Sequence, residues 1–182
     1  ASIYWVEAQD GGDPRKQVDV RDKVYSLDFP FTGTATELIS LPNRYSGVLW
    51  ANDNIAWVYE RWWNNRKEVV YQINPAKPGT PKVIFDRNYE DNYNAPGSPL
   101  TELNQYGRSV MLINKDNSIY LTGQGASPQG NIPFLNKMML ATGKTTTLWR
   151  CQAPHYEYVV TLLDAKKGSF VTSRESNTEN PN

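Results

Sequence analysis

Residues 45–91 read YSGVLWANDNIAWVYERWWNNRKEVVYQINPAKPGTPKVIFDRNYED, and the fold is best predicted outward from this stretch. Short runs rich in apolar and β-branched residues alternate here with Asn, Asp, Pro and Gly, a pattern typical of strands joined by tight turns. The stretch therefore predicts a four-stranded antiparallel meander of roughly 45 residues, the size of one β-propeller blade. The four predicted strands are 47–50, 55–61, 68–73 and 82–85.

The same order of runs and turns recurs on both sides of this stretch. Before it, three strands are predicted at 2–8, 22–27 and 36–41, which match the meander from its second strand onward. After it, residues 88–107 show no alternation and are predicted to form an ordered crossing loop. Another complete copy and the first two strands of a last one follow. Their predicted strands are 109–113, 118–121, 134–140 and 145–150, then 158–163 and 169–173, the last two joined by a turn at 164–168.

The sequence thus predicts an all-β chain that forms part of a β-propeller. No segment has the apolar spacing and caps of a helix. We expect two full four-stranded antiparallel blades and two partial ones, and a chain excised from a larger propeller because its ends fall inside blades. The predicted blade pieces are about 1–44, 45–91, 107–152 and 156–182 of a single propeller segment, 1–182.

Composition narrows the classes of partner. The chain has 19 basic and 19 acidic side chains, so its charge gives no reason to expect nucleic acid or an anionic membrane as a partner. No run approaches the ~20 apolar residues that would cross a bilayer. A single cysteine excludes an internal disulfide framework. Because open blade edges expose unpaired backbone groups, the sequence also predicts self-association through those edges.

Five segments, in order along nearly the whole chain, resemble the propeller of prolyl-oligopeptidase-like serine peptidases, and most closely the glutamyl endopeptidase branch. Each segment is a weak signal alone, and their ordered spacing makes the match specific. The segments are AQDGGD at 8–13, the run 45–66 with Gly47 and Trp50, FDR at 85–87 continuing into EDNYNAPGSP at 90–99, GQGASPQGNIPFL at 123–135, and TSRES at 172–176.

The resemblance implies an N-terminal propeller that caps a C-terminal α/β-hydrolase domain with a Ser-Asp-His triad. That domain is absent from this sequence, so we expect a non-catalytic segment that filters the access of peptides and has no cofactor. Its partners would be the hydrolase domain of the same parent and the parent's peptide substrate. An independent propeller-like protein that binds a peptide or a glycan is the alternative. The resemblance leaves the location open, because relatives of this branch include exported bacterial proteins and plastid proteins; of these, an exported or periplasmic protein of a bacterium is preferred.

Two groups of residues are candidates for contact with substrate. Arg174 and Glu175 are charged residues that, by the resemblance, could face the central cavity and touch a peptide terminus; an internal ion pair or a loop anchor is the alternative. The second group lies at a predicted strand end and could line an entrance, although packing between blades is the commoner reason for Trp at such a position. This group consists of Glu60, Arg61, Trp62 and Trp63.

Catalytic and metal-binding residues are not predicted. The string nearest to a Gly-x-Ser-x-Gly elbow surrounds Ser127, but Gln129 occupies its last position and no helix follows. His155 is the single histidine, and no signal links it to a serine. With Cys151 it supplies two metal ligands, fewer than the three or four that a zinc site uses.

Overall fold

The computed structural model describes residues 1–164 and 167–181 of the chain. Every regular element within those residues is a β-strand, and all strand pairs are antiparallel. The all-β prediction is therefore confirmed. The chain divides into two compact units, Ala1–Glu90 and Asp91–Asn182.

The first unit contains two sheets built from consecutive strands. Sheet A has three strands in the order β1-β2-β3, and sheet B has four in the order β4-β5-β6-β7. The three strands expected before residue 45 and the four expected after it are all present. The strands are β1 (Ser2–Ala8), β2 (Asp22–Asp28), β3 (Thr36–Leu41), β4 (Arg44–Asn52), β5 (Ile55–Trp62), β6 (Lys67–Ile73) and β7 (Lys82–Asn88).

Sheets A and B pack face to face around one apolar core. Leu41 of β3 and Val58 of β5 are fully buried, and Val6 and Trp50 pack against the same cluster from the sides. Central strand β5 is buried on both faces, since Trp57 points away from this cluster and meets Phe85 edge to face at 5.8 Å. A strand covered on both faces requires a nearly continuous apolar run, and residues 55–59 (IAWVY) form one. The core residues are Val24, Leu38, Ile39, Leu41, Ala56, Val58 and Ile73.

The second unit contains one four-stranded sheet, three two-stranded pairs and no larger assembly among its described residues. Sheet C has the order β15-β14-β11-β8, and the pairs are β10-β9, β12-β13 and β16-β17. The strands are β8 (Ser98–Pro99), β9 (Thr101–Leu103), β10 (Ser109–Met111), β11 (Ser118–Gly123), β12 (Ala126–Ser127), β13 (Gly130–Asn131), β14 (Phe134–Met139), β15 (Thr145–Arg150), β16 (Tyr156–Asp164) and β17 (Ser169–Glu175).

The prediction that 109–113 is the first strand of a four-stranded copy is wrong. β10 pairs with β9, and β8 takes the edge of sheet C beside β11. Leu100 links the two pairings, because its N–H donates to Tyr120 O at 2.9 Å and its carbonyl accepts from Leu112 N–H at 3.0 Å. Gly97 permits the approach: a Cβ there would lie 2.6 Å from Thr122 O. Residues 88–107 therefore contain two strands and are not wholly a crossing loop.

The hairpin β16–β17 packs one face against sheet C. Val159, Leu162 and Phe170 contact a cluster made of Leu112, Tyr120 and Leu135. The predicted turn at 164–168 includes residues 165 and 166, which lie outside the described residues. Sheets of three and four antiparallel strands agree with propeller blades in size; the division into blade pieces and the propeller itself stay predictions.

Candidate functional site

One end of the first unit holds a cluster of charged and aromatic side chains. β1, β3, β5 and β7 end there, and β2, β4 and β6 begin there, because neighbouring strands are antiparallel. We call it the charged end and define it as residues 8–22, 41–45, 60–68 and 86–90. It contains the predicted candidates at 60–63.

A buried ion cluster joins sheets A and B at the charged end. The side chain of Asp10 is fully buried and accepts from Arg21 Nη1 at 2.9 Å and from Arg44 Nη2 at 2.6 Å. Asp22 accepts from Arg44 Nη1 at 2.6 Å and from the Tyr45 N–H at 2.8 Å. Two carboxylates thus face two guanidinium groups. The cluster ties the loop after β1 to the starts of β2 and β4.

The electrostatics of this cluster are internally balanced. The hydrogen bond from Arg44 lowers the pKa of Asp10 below its usual 3.8, against the opposing effect of its burial. The same bond raises the pKa of Arg44. Since each charge has an opposite partner within hydrogen-bond distance, the arrangement is that of a clamp between two sheets, and it offers no free charge to a ligand.

Glu60 lies inside the unit beside this clamp. It is 1% exposed, and its carboxylate accepts from Asn43 N–H at 2.8 Å, Asn43 Nδ2 at 2.9 Å and Tyr71 OH at 3.0 Å. Burial raises the pKa of Tyr71, and the charge of Glu60 adds to that rise. The structure therefore places Glu60 among the groups that hold the sheet together.

Arg61 and Trp62 also make contacts within the first unit. Arg61 Nε donates to Glu68 Oε2 at 2.7 Å, and its guanidinium lies 5.2 Å from the ring centre of Tyr89. The Arg21 guanidinium lies 4.0 Å above the ring centre of Trp62. Cation–π contacts of this kind stabilise an aromatic side chain at a strand end. Arg61 still exposes about half of its side chain, 55%.

Trp63 differs from its neighbours because it is 62% exposed. Its ring lies 6.5 Å from that of Trp62, tilted by 46°. The turn it starts leads to a shallow cavity of about 290 Å³ at the β6–β7 end, lined by Asn65, Lys67, Asp86, Arg87 and Asn88. Of the four candidates at 60–63, Trp63 presents the largest free surface, with part of Arg61 beside it.

Arg174 and Glu175 lie on β17 in the second unit. Arg174 is opposite Glu157 and Glu175 is opposite Tyr156. The carboxylate of Glu157 accepts from the Thr172 hydroxyl at 2.5 Å. Arg174 is exposed and forms no ion pair with any residue that the structure describes. The ion pair considered as an alternative is thus not made there, and the guanidinium faces solvent.

The serine and the cysteine singled out in the sequence form local hydrogen bonds, whereas Nδ1 of His155 is buried without a hydrogen-bond partner among the described residues and lies 3.7 Å from Glu179 Oε2. Ser127 Oγ donates to Gly130 O at 2.7 Å, which closes the β12–β13 turn. Cys151 is buried; its Sγ donates to His155 O at 3.3 Å and accepts from Glu157 N–H at 3.2 Å. Among residues 1–164 and 167–181, no group of three or more His, Cys, Asp and Glu could hold a metal ion. That part of the chain also has no helix long and apolar enough to cross a membrane.

Sequence patterns missed the Asp10 cluster. Its members stand singly in loops and at strand starts, and Asp10 and Arg44 are 34 residues apart. The one available signal is that Asp10 and Arg44 both lie just outside predicted strands on the same end of an antiparallel meander. That signal predicts neighbouring positions and not burial.

Comparison with known proteins identifies relatives over nearly the full chain. Two plant proteins, from Oryza sativa subsp. japonica and Arabidopsis thaliana, are each named "Probable glutamyl endopeptidase, chloroplastic". Both are 38% identical over 196 aligned residues, which cover 99% and 98% of this chain and 21% and 20% of the relatives. No protein-family model matches the chain, and no solved structure matches it.

The relatives correct one sequence-based expectation. The expected exported or periplasmic location in a bacterium is wrong, because the matched proteins come from plants and are named as chloroplastic. They support the glutamyl endopeptidase part of the resemblance. The chain spans about a fifth of the length of these relatives, so it is similar to a segment of proteins that are named as peptidases.

Proposed function

We propose that this chain is a non-catalytic β-propeller segment of a serine peptidase of the prolyl oligopeptidase type. In the parent protein it filters the access of peptides to a hydrolase domain that carries the Ser-Asp-His triad. The observation that carries the proposal is the identity of 38% over nearly the whole chain to a fifth of each glutamyl endopeptidase. A relation of that extent favours a segment with a role inside a peptidase.

The architecture supports a propeller role. Sheet B is a four-stranded antiparallel meander in strict chain order, and sheet A packs on it face to face. Adjacent blades of a propeller bury their faces in this manner and leave short strand ends and loops around a channel. The charged end of the first unit is such a set of strand ends, held by the buried Asp10 cluster.

Two exposed groups are suited to touch a passing peptide. Trp63 offers an aromatic surface at 62% exposure, and Arg174 offers a guanidinium with no ion-pair partner among the described residues. A guanidinium can bind a carboxylate through two parallel hydrogen bonds. Arg174 would therefore favour acidic side chains or a peptide C-terminus, with Glu175 next to it as the opposite charge. Arg61 contributes a second partly exposed guanidinium beside Trp63.

The isolated chain gives the first test. Incubated with a serine-directed phosphonate probe and a series of peptides of increasing length, it should show neither labelling nor cleavage. Covalent labelling of any serine within residues 1–182 would overturn the proposal. If the chain were instead a peptide-binding protein of another class, it would bind such peptides without being part of a longer peptidase. The molecular mass of the native protein distinguishes the two cases.

The filtering role is tested in the parent protein with Trp63→Ala and Arg174→Ala. Removal of a substrate contact should change kcat/KM for long peptides while leaving short fluorogenic substrates nearly unaffected, since short substrates need no guidance. Thr145→Ala, an exposed substitution on the edge strand β15, is the control. Equal effects on long and short substrates would contradict a filter.

A further inference from the structure

The β12–β13 hairpin is held closely against sheet C. Phe134 at the start of β14 is buried, and a Cβ on Gly123 would lie 2.7 Å from its ring. A Cβ on Gly125 would lie 2.1 Å from Ile132 O and 3.3 Å from the same ring, and the Ile132 N–H donates to Gly125 O at 3.0 Å. The two glycines thus let the base of the hairpin close around one aromatic ring, which gives the side chains at that base defined positions.

Two carboxamides at this base face each other. Gln124 directly precedes the hairpin, and its Oε1 accepts from the Tyr156 hydroxyl at 2.6 Å. Nδ2 of Asn131, the last residue of β13, lies 3.5 Å from the same oxygen. Both amides are exposed, and neither side chain makes another hydrogen bond within the part of the chain that the structure describes. The Nε2 donor of Gln124 and the Oδ1 acceptor of Asn131 are therefore available to another molecule.

The amide pair lies at the end of the second unit that also holds a predicted substrate contact. β11 and β17 end there, and β14 and β16 begin there. Tyr156 is directly opposite Glu175 in the β16–β17 hairpin. Side chains that are directly opposite in an antiparallel pair share one face of the sheet. Glu175 therefore lies beside the tyrosine that orients Gln124, and the amide pair is continuous with the candidate at 174–175.

We propose that Gln124 and Asn131 bind the main chain of a peptide. Gln124 Nε2 donates to a peptide carbonyl, and Asn131 Oδ1 accepts from a peptide N–H. Each peptide group carries one donor and one acceptor, so the amide pair complements it whatever the side chains are. Tyr156 is the positioning residue, because its hydroxyl fixes which end of the Gln124 amide faces outward. The inference rests on the proposed function, which requires contacts that admit peptides of varied sequence.

The first test measures binding to the parent protein after its active-site serine has been blocked with a phosphonate, so that no cleavage occurs. The probe is a long fluorescent peptide in which one amide at a time, away from the scissile bond, is replaced by an ester. Each ester removes one N–H from the peptide main chain. At one position the ester should weaken binding roughly two- to tenfold, the effect of one net hydrogen bond.

The partner of that N–H is identified with Asn131→Ala. This variant should bind the unmodified peptide more weakly by a similar factor, and the ester at the sensitive position should then cause no further loss, because both changes remove the same hydrogen bond. Gln129→Ala truncates an exposed carboxamide of the same hairpin, and should retain the full ester effect. An ester effect that is equally large in Asn131→Ala and in the unchanged parent, or the absence of any sensitive position, overturns the proposal.

Tyr156→Phe tests the positioning role without changing either amide. Loss of the hydroxyl frees the Gln124 amide to rotate, so binding of the unmodified peptide should weaken while the ester effect at the Asn131 position persists. Unchanged binding would contradict this role of Tyr156. An oligosaccharide that competes with the peptide for Gln124, with no sensitive ester position, would identify a glycan site and overturn the proposal.

Failure of this inference and failure of the proposed function give different results. A parent that is labelled at a serine outside residues 1–182 but shows no coupling between Asn131 and the peptide main chain contradicts the inference alone. If no such serine is labelled, the proposed function fails, and the same ester series measured on that native protein still decides whether Gln124 and Asn131 bind a peptide main chain.

Discussion

In the first unit, some side chains make only structural contacts, whereas others are exposed and accessible to a ligand. Asp10 and Glu60 are both buried and both make three or more hydrogen bonds, whereas Trp63 is mostly exposed. A buried carboxylate with internal partners stabilises the fold, and its loss leaves other buried groups unpaired. At the charged end, the buried Asp10 and Glu60 therefore stabilise the fold, whereas Trp63 is accessible to a ligand.

Asp10→Asn should destabilise the chain at neutral pH and much less in acid. The pKa of Asp10 is lowered in the folded state, so its stabilising contribution is present above its usual 3.8 and is lost as the pH falls through the folded pKa. Thermal unfolding at pH 7 should show a Tm several degrees lower for Asp10→Asn.

The control for this substitution lies in the same loop. Asp13 also has a lowered pKa, mainly through its hydrogen bond with Arg15, but that pair is exposed. Asp13→Asn should change the Tm little. A difference between the unchanged chain and Asp10→Asn that persists undiminished at pH 2.5–3, below the usual pKa of Asp, would contradict the assignment to this carboxylate.

Trp57→Ala and Trp63→Ala form a second matched pair. Trp57 is fully buried and meets Phe85 edge to face, so its truncation should cost about 3–5 kcal/mol of unfolding free energy. Trp63 is exposed, and its truncation should stay within about 0.5 kcal/mol. Urea unfolding followed by far-UV circular dichroism measures both. Similar losses for the two variants would mean that Trp63 is part of the packing.

At the scale of single elements, the β16–β17 hairpin depends on one face. Leu162 contacts the core of the second unit, while the next residue, Leu163, is 69% exposed. Leu162→Ala should destabilise the unit by roughly 1–3 kcal/mol, and Leu163→Ala by less than about 0.5 kcal/mol. Amide hydrogen exchange along β16 should rise for the first variant alone. The opposite order would reverse the assignment of faces.

The loop before β14 offers another element-scale prediction. Gly125 has φ +58°, and a Cβ there would lie 2.1 Å from Ile132 O. Gly143 has φ +72° with nothing within 4 Å of such a Cβ. Gly143→Ala should cost roughly 1–2 kcal/mol from its backbone conformation, and Gly125→Ala should cost more because the backbone must also move. Equal thermal shifts would show that the β12–β13 hairpin is not closely packed.

Strands were predictable from the sequence and their partners less so. Short alternating runs between Asn, Gly and Pro turns predicted every strand of sheet B, because alternation follows directly from the period of two in a strand. Partner choice depends on competition between segments for the same backbone groups. The sequence therefore predicts the wrong sheet for residues 109–113. Gly97 and Pro99 are typical of a loop, so the pattern does not predict the short strand β8 that pairs with β11.

Among the candidates named from the sequence, Trp63 in the first unit and Arg174 in the second are exposed, and their contact with substrate stays a prediction. Burial of Glu60 and stacking of Trp62 under Arg21 depend on contacts with other strands, which no local pattern reveals. The Asp10 cluster was missed for the same reason.

At the scale of the whole molecule, the proposed function makes this chain a non-catalytic segment of a larger peptidase. Relatives of about five times its aligned span support that assignment. Native protein captured with an antibody against residues 45–91, and labelled with a serine-directed phosphonate, tests it most directly by mass spectrometry. We expect a polypeptide much larger than 20.7 kDa that is labelled at a serine outside residues 1–182. A native polypeptide of 20.7 kDa, or a labelled serine within this chain, would contradict it.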